Sequence, residues 1–564
     1  MKVILVAFIT VLITACKWEY PCGDLSPVTV VVSNCSASNT ESESESESVV
    51  VASQAKLNDI QLNGLMTLGS TAQVVISCED CPGTIYYRWL IDNTVVSTSD
   101  SHEFTASDLG KTVRIEVQLT DSQQVVSQSE HATFQSIVVE EIITNPFAFA
   151  ARKTDGSVVT WGTAPNGGNS SSVAADLVNV TTIVPGNGTF AAIKQDGSVV
   201  TWGIASYGGD SSAVAGQLTN VTRVAAADFA YAALRSDGSV VTWGDATRGG
   251  DSSAVQAQLT NVVDIIGNGF AFTALKSDGS VVTWGDPLRG GDLEGLTPSN
   301  ITSVVGNNTS FVAIDNLGAT YFWGLDASGG VPVSVMPNYA ASDVQSAIGH
   351  DLAVALLKSD GSVTSHGNNS FGGDMATLAA RITNAVSLYS SWTGFAALIN
   401  DGSIVSWGNI DGVSYGVSGN TAFLEPTVTN ATMITASRDA FAAVEAAGTV
   451  VAWGDANDGG DNSAVVADLV NVDFVVAARA AFAAKKSDGS VVAWGDATRG
   501  GDTSLNLSGA LSNVETIVSS LYSFAAITDD KQVVTWGLLS HADISLVSAD
   551  LEPSAIQLDN SYAP

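Results

Sequence analysis

Basic residues are scarce: 22 lysines and arginines stand against 57 aspartates and glutamates, for a net charge of −35. A surface so poor in cations does not displace the counterions of nucleic acid, and it offers no polybasic patch to anionic lipid. The carboxylate surplus keeps a chain solvated, and where carboxylates cluster they supply the several oxygens that Ca²⁺ needs. Histidine is rarer still. His102, His131, His350, His366 and His541 are scattered without metal-ligand spacing. Phosphate-binding loops, a Gly-x-Ser-x-Gly elbow and a His-Glu-x-x-His helix are all missing, so no catalytic residue and no cofactor is assigned. Periodic runs of Lys, Glu and Leu that favour helix are sparse. Val, Ala, Gly, Ser and Thr dominate instead, the composition of strands joined by tight turns. At 564 residues the chain is too long for one core, and 45% apolar with 14% charged residues excludes a disordered polyelectrolyte.

No apolar run at the amino terminus is long enough to stay in a bilayer. Lys2 followed by the apolar residues 3–13, broken only by Thr10, reads as an export signal over residues 1–15. It ends in Ile13-Thr14-Ala15-Cys16, which resembles the lipobox of bacterial lipoproteins. That resemblance implies cleavage before Cys16, acylation of its thiol and new amine, and a durable membrane anchor. By the same resemblance Lys17, standing where Asp would retain the protein at the inner membrane, points to the outer membrane. The expected address is the cell envelope, lipid-anchored and facing the periplasm or the surface.

Four further cysteines remain: Cys22, Cys35, Cys78 and Cys81. An even number in an exported chain suggests disulfides, most economically Cys22 with Cys35 and Cys78 with Cys81. Cys78-Glu79-Asp80-Cys81 also has the spacing of half a zinc site or a redox motif, without the second ligand pair or the βαβ context either requires. Residues 16–55 form a tether in which residues 40–48 alternate Ser and Glu, too polar to bury a core.

Residues 56–134 read as short alternating strands, enough for a small β-sandwich. Tyr87-Arg88-Trp89-Leu90-Ile91-Asp92-Asn93 and the later Ser107-Asp108-Leu109-Gly110-Lys111 resemble bacterial immunoglobulin-like modules, although the usual inter-sheet disulfide is absent. The resemblance implies Trp89 between two sheets and a spacer role.

From 135 to 541 the chain repeats. Trp161, Trp202, Trp243 and Trp284 follow at intervals of 41, and Trp323, His366, Trp407, Trp453, Trp494 and Trp536 continue the series, each followed by Gly. Ten copies of an all-β unit are therefore expected. In each, an Asp-Gly turn such as Asp237-Gly238 joins a Phe-Ala-Ala-Leu strand to a Val-Val-Thr-Trp strand. The dipeptide predicts a two-residue type I′ hairpin. Small alanines let neighbouring sheets approach and the Trp fills the space between them, since one unit cannot fold alone. Three- or four-stranded units near 40 residues, packed face to face, make a β-propeller. The Ala-Leu…Asp-Gly-x-Val…Trp-Gly strings resemble the superfamily of the regulator of chromosome condensation and the β-lactamase inhibitory protein II. That resemblance implies a propeller, usually of seven blades. Ten copies leave a larger ring, an open array or a seven-plus-three split as alternatives. The fold expected is all-β, a ten-copy propeller-like array preceded by a small sandwich, with residues 542–564 as a tail or closing strand.

Two sets of residues stand out as candidates. Asp210, Asp251, Asp292, Asp374, Asp461 and Asp502 recur after Gly-Gly, either capping their own turns or forming a ring that attracts Ca²⁺ or a basic partner. His366 replaces the repeat Trp, and Trp392 is an extra aromatic, so both are candidate binding residues. The expected role is a non-enzymatic scaffold that binds protein or glycan. A polysaccharide lyase or hydrolase is the alternative, and an inhibitor of a partner enzyme a further one.

Overall fold

The computed structural model describes residues 56–63, 66, 70–79, 84–120, 126–324, 342–350, 353–373, 382–410, 413–415, 427–428, 430–505 and 511–561. The export signal, Cys16, Cys22, Cys35, the Ser/Glu run, Cys81 and Asp374 lie outside the described residues, as does the side chain of Cys78. Among the described residues no helix is long and apolar enough to cross a membrane.

Seven strands build the sandwich: β1 (Lys56–Asn63), β2 (Thr71–Glu79), β3 (Thr84–Ile91), β4 (Thr94–Ser97), β5 (Ser101–Glu103), β6 (Thr112–Thr120) and β7 (Val126–Ile137). One sheet runs β1-β2-β5; the other runs β4-β3-β6-β7. Strict alternation on β6 sends Val113, Ile115, Val117 and Leu119 inward, where they meet Ile60, Ala72 and Val74 of the opposite sheet. Trp89 is fully buried among them, and its Nε1 donates to the Ser99 carbonyl at 2.9 Å. The second sheet is completed from the far end of the chain. Ser554–Ser561 pairs antiparallel with β7, Ser554 opposite Ile137 and Ser561 opposite His131. Residues 542–564 thus hold a closing strand, and what it closes is the sandwich.

After β7 the chain passes through Val138 directly into ten consecutive antiparallel sheets, or blades, each with its strands in simple sequence order. They span residues 139–162, 180–203, 221–244, 262–285, 301–324, 344–367, 385–415, 431–454, 472–495 and 514–537. Among the described residues nine have three strands, and the seventh adds a short fourth, Val413–Tyr415. The first strand of each blade touches the first strand of the next all the way round, including the tenth against the first. A separate apolar core fills each junction. Leu259, Ile265, Phe272 and Trp284 of one blade pack on Ala230, Ala232 and Leu234 of its neighbour, and Val139, Phe149 and Trp161 pack on Ala525, Ile527 and Val533 across the seam. The repeats form one closed ten-bladed β-propeller, with first strands innermost and Trp-bearing third strands outermost.

The Trp does the same work nearly everywhere. In nine blades it stacks on an aromatic ring of the middle strand with centroids 5.1–5.5 Å apart. Trp202 Nε1 donates to the Gly167 carbonyl of the preceding blade's Gly-Gly loop at 3.0 Å. Trp243, Trp284, Trp323, Trp407, Trp494 and Trp536 repeat that bond at 2.9–3.2 Å. The loop must be glycine to pass so close: a Cβ on Gly250 would lie 2.5 Å from the Gly244 carbonyl oxygen. Two tryptophans differ: Trp453 Nε1 donates to Ser406 Oγ at 3.0 Å, and Trp161 follows the tenth blade, where Ala542-Asp543 stand in place of Gly-Gly. The buried Trp161 Nε1 has no acceptor among the described residues. Trp161→Phe is therefore expected to cost about 1 kcal/mol less than Trp202→Phe in urea unfolding, since only the second strands a carbonyl.

The hairpins correct the type I′ expectation. Gly238 has φ +77° while Asp237 stays outside the positive region; Gly238 N–H bonds to Arg235 O at 2.9 Å, and Arg235 N–H to Ser239 O at 2.9 Å. The loop is Ser236-Asp237-Gly238, three residues long, with only its last residue left-handed. Two things set that register. Asp237 Oδ1 accepts from both the amide and the hydroxyl of Ser239, at 3.0 and 2.6 Å. Val262 N–H, opening the next blade, bonds to Gly238 O at 3.1 Å. In the tenth blade Lys531 takes the glycine's place at φ +63°. Lys531→Gly is expected to raise stability by about 1 kcal/mol, read as a shift in denaturation midpoint, because a left-handed side chain costs 1–2 kcal/mol.

The sandwich rests on the hairpin of the first blade. Thr154 Oγ1 donates to Ser136 O at 3.1 Å and accepts from Val138 N–H at 3.2 Å. The opposite end of the ring, where first strands turn into middle strands, faces away from it.

Candidate functional site

The recurring aspartates act locally. Asp210, Asp251, Asp292, Asp461 and Asp502 each accept, through Oδ1, the amide two residues on, at 2.8–2.9 Å. These bonds from Ser212, Ser253, Ser463 and Ser504 hold the carboxyls of Asp210, Asp251, Asp461 and Asp502 below the usual carboxylate range. Ser211 and Ser252 bond to Thr201 and Thr242 of third strands, which puts this set of turns on the outside of the ring. Among the described residues no group of three His, Cys, Asp or Glu side chains is placed to hold a metal ion.

His366 and Trp392 lie in different settings. His366 sits on the third strand of the sixth blade, half-buried and edge-on to Phe322 of the fifth, with Val354 beside it where other blades carry the stacking ring. Both members of the stack are therefore replaced together there. Trp392 stands on the turn between first and middle strands of the seventh blade and is 44% exposed.

At the tip of that turn the copies diverge: among the described residues it is Pro146, Asn187, Asp228, Gly269, Asn308, Trp392, Arg438, Arg479 and Leu521 in successive blades. From the seventh blade round to the first, the tips are zipped by backbone bonds. Trp392 N–H bonds to Arg438 O, Arg438 N–H to Arg479 O, Arg479 N–H to Leu521 O and Leu521 N–H to Pro146 O, at 2.9–3.2 Å. On this fixed rim the Arg479 guanidinium lies 5.0 Å from the Trp392 ring centroid and 5.9 Å from that of Tyr522, and its Nη1 donates to the Tyr522 hydroxyl at 2.9 Å. Arg499 lies 5.3 Å over the other side of the strip at Tyr522, and His541 bridges Tyr522 to Phe147 at 5.5 and 6.2 Å. A second strip covers the third and fourth blades: Tyr207 against Phe229, then Arg248 over Phe229 at 4.0 Å and Arg289 over Phe270 at 4.4 Å. Each contact of this kind is worth roughly 0.5–2 kcal/mol, rising with desolvation.

Within the first strip, on the eighth blade, lies a carboxylate pair. Arg438 Nε donates to Asp439 at 2.9 Å and Arg438 Nη2 lies 2.8 Å from Asp458, while Thr393 Oγ1 donates to Asp439 at 2.6 Å. Burial pushes the Asp458 carboxyl up to about 6, against the pull of Arg438, with Asp439 and Asp455 adding to the rise. Its side chain is only 2% exposed, so it is out of reach of a substrate.

His350 occupies the position held by Asn145 and Asn268 in other blades. Its Nε2 donates to the Phe371 carbonyl at 3.1 Å, as Asn268 Nδ2 does to Arg289 O at 2.8 Å. Burial pulls the imidazole down to about 4, the bond to Phe371 opposing. The unfolded chain then binds the proton that the folded chain refuses. The His350 contribution is complete above pH 6.5 and is lost as pH falls towards 4, roughly 3 kcal/mol in all. Asp458 has the opposite sign, its contribution being complete below pH 3.8 and lost as pH rises through 6. His350→Asn is expected to keep the fold and flatten the acid limb of a stability–pH curve measured by denaturant unfolding between pH 4 and 7; an unchanged limb would refute it.

Sequence reading singled out Trp392 but not Arg479, Tyr522, Arg499, Arg438 or Asp439. The signal available was the turn itself, where aligned copies diverge in an otherwise uniform repeat.

No family model matches the chain, and no curated protein matches it. Among solved structures it is similar to Prp20p of Saccharomyces cerevisiae, at 17% identity over 42% of this chain and 72% of that one, with a TM-score of 0.28. It is similar to the computationally designed Ika8 protein at 15% identity, over 64% and 96% of the two chains, TM-score 0.31. The ectodomain of the Arabidopsis thaliana receptor kinase ACR4 shows 17% identity over 52% and 99%, TM-score 0.27. The class of the chain, a β-propeller of many small antiparallel sheets, follows from its own strand order.

Proposed function

We propose that this protein is a non-enzymatic binding scaffold that presents the turn face of its ring to a protein partner while its amino terminus holds it at a membrane. The observation that carries this reading is the rim itself: exposed Trp392 with Arg479, Tyr522 and Arg499, fixed by interblade backbone bonds on the face opposite the sandwich. Trp, Tyr and Arg are the side chains that dominate binding hot spots, and a rim already rigid loses little entropy when it docks. The buried setting of Asp458 speaks against a polysaccharide lyase or hydrolase at the nearest carboxylate pair, because a general acid must reach its substrate.

A photocrosslinking amino acid at Leu521, on the turn face, is expected to give partner adducts in cells producing the full chain. The same group at Asp278, on a hairpin, is expected to give none. Adducts from Asp278 alone would refute the face assignment. The anchoring half of the proposal rests on the lipobox-like sequence ending at Cys16. Labelled palmitate is expected to enter the full chain and to be absent from Cys16→Ser; equal labelling of both would remove the anchor.

A further inference from the structure

Four of the five arginines on the turn face are already paired with carboxylates. Arg248 has Asp245, Arg289 has Asp286, Arg499 has Asp496, and Arg438 has Asp439 and Asp458. Arg479 differs. Among the described residues no carboxylate lies within ion-pair distance of it, one of its five donors goes to Tyr522, and its buried Nε finds no acceptor. In a chain with 57 acidic residues against 22 basic ones, a guanidinium held between two aromatic rings without a counter-charge is the anomaly of the surface.

We infer that Arg479, Trp392 and Tyr522 form a seat for an acidic, aromatic-bearing segment of a protein partner. Its carboxylate would bond the open edge of the Arg479 guanidinium, and its neighbouring aromatic side chain would pack on the exposed Trp392. This rests on the scaffold reading and gives it a partner chemistry. Charge complementarity selects the carboxylate: the guanidinium fork matches it in two parallel bonds, and stacking on Trp392 and Tyr522 fixes the plane in which it is offered. The half-exposed indole selects a second, apolar contact beside that charge, which a bare polyanion lacks. The net charge of −35 also sets the salt dependence. General repulsion of an acidic ligand is screened by salt, whereas a partly desolvated ion pair is screened far less, so binding should strengthen or hold as salt rises towards 0.15 M.

The test is fluorescence anisotropy of labelled poly(Glu,Tyr) titrated with the full chain, with poly(Lys,Tyr) and polygalacturonate as comparisons. The expected result is binding of poly(Glu,Tyr) above both. Arg479→Gln and Trp392→Ala should each weaken it at least about tenfold, a hot-spot loss. Arg479→Lys should weaken it less than Arg479→Gln, and Arg223→Gln, far from the face and paired with Asp264, should leave it within about twofold. Binding that ignores Arg479→Gln, preference for poly(Lys,Tyr), or Arg479-dependent binding of polygalacturonate alone would each overturn the inference. Persistence of Leu521 crosslinks without poly(Glu,Tyr) binding would overturn it too, while leaving the scaffold reading in place.

Discussion

A chain ending at Glu552 is expected to form a ring that opens at one junction. Nine junctions share a backbone bond from the first residue of a blade to the hairpin of the blade before it, as in Val221 N–H to Gly197 O at 2.9 Å and Val514 N–H to Gly489 O at 2.8 Å. Among the described residues the junction between tenth and first blades has no such bond. It is held by its apolar core, by Leu521 N–H on Pro146 O at 3.2 Å at the turn end, by Thr144 Oγ1 on Ser519 O at 2.8 Å, and by Lys153 Nζ on Asp550 O at 2.9 Å. The pairing of Ser554–Ser561 with β7, one residue upstream of the first blade, ties the two ends of the ring together through the sandwich. Removing it exposes an edge on β7 and frees both ends. At about 1 kcal/mol for each ladder hydrogen bond the loss is roughly 3–6 kcal/mol, concentrated locally. Amide hydrogen exchange should accelerate at least about a hundredfold in β7 and the first and tenth blades, and little in the third to fifth. Uniform exchange across the ring, or none gained in β7, would show that the seam holds without the strand.

The second large effect is at the blade cores. Trp243→Ala removes a ring stacked on Tyr231 at 5.4 Å, together with the donor to the Gly208 carbonyl, from a junction whose other residues are aliphatic, Ile193, Leu218, Val221 and Val224 among them. A cavity of that size in a packed core costs about 3–5 kcal/mol. Because each blade is stabilised only by its neighbours, the loss should propagate to the second and fourth blades before the rest of the ring. Urea unfolding followed by tryptophan fluorescence should show an earlier, separate transition. The sixth blade is the natural control: with Val354 and His366 in place of the stacked pair, His366→Ala should cost less than half as much. Equal costs would mean that the stack is not what holds the junctions.

Much of this was legible. The Trp-Gly spacing located ten units, and the alternation in Val113-Arg114-Ile115-Glu116-Val117 located a core strand whose inward residues are indeed buried. Asp237-Gly238 marked a hairpin but not its length, because loop length is decided by partners outside the dipeptide, Ser239 on one side and Val262 on the other. The partner of Ser554–Ser561 left no local trace, since it lies more than four hundred residues upstream in β7. The turn face was hidden for a different reason. Arg479 and Trp392 belong to blades two apart, and only the curvature of the ring brings the guanidinium over the indole. A repeat consensus records what every copy needs, and the residues that meet there are those no consensus retains.

The strand borrowed from the carboxyl terminus also imposes an order of events. The sandwich strands precede the ring in synthesis, yet one of the two sheets stays a strand short until Ser554–Ser561 emerges. During that interval β7 presents an unpaired edge, the kind of surface from which misassembly starts. Only a chain carried through Ser561 covers it, and a product truncated anywhere in the ring would reach quality control with the same exposed edge.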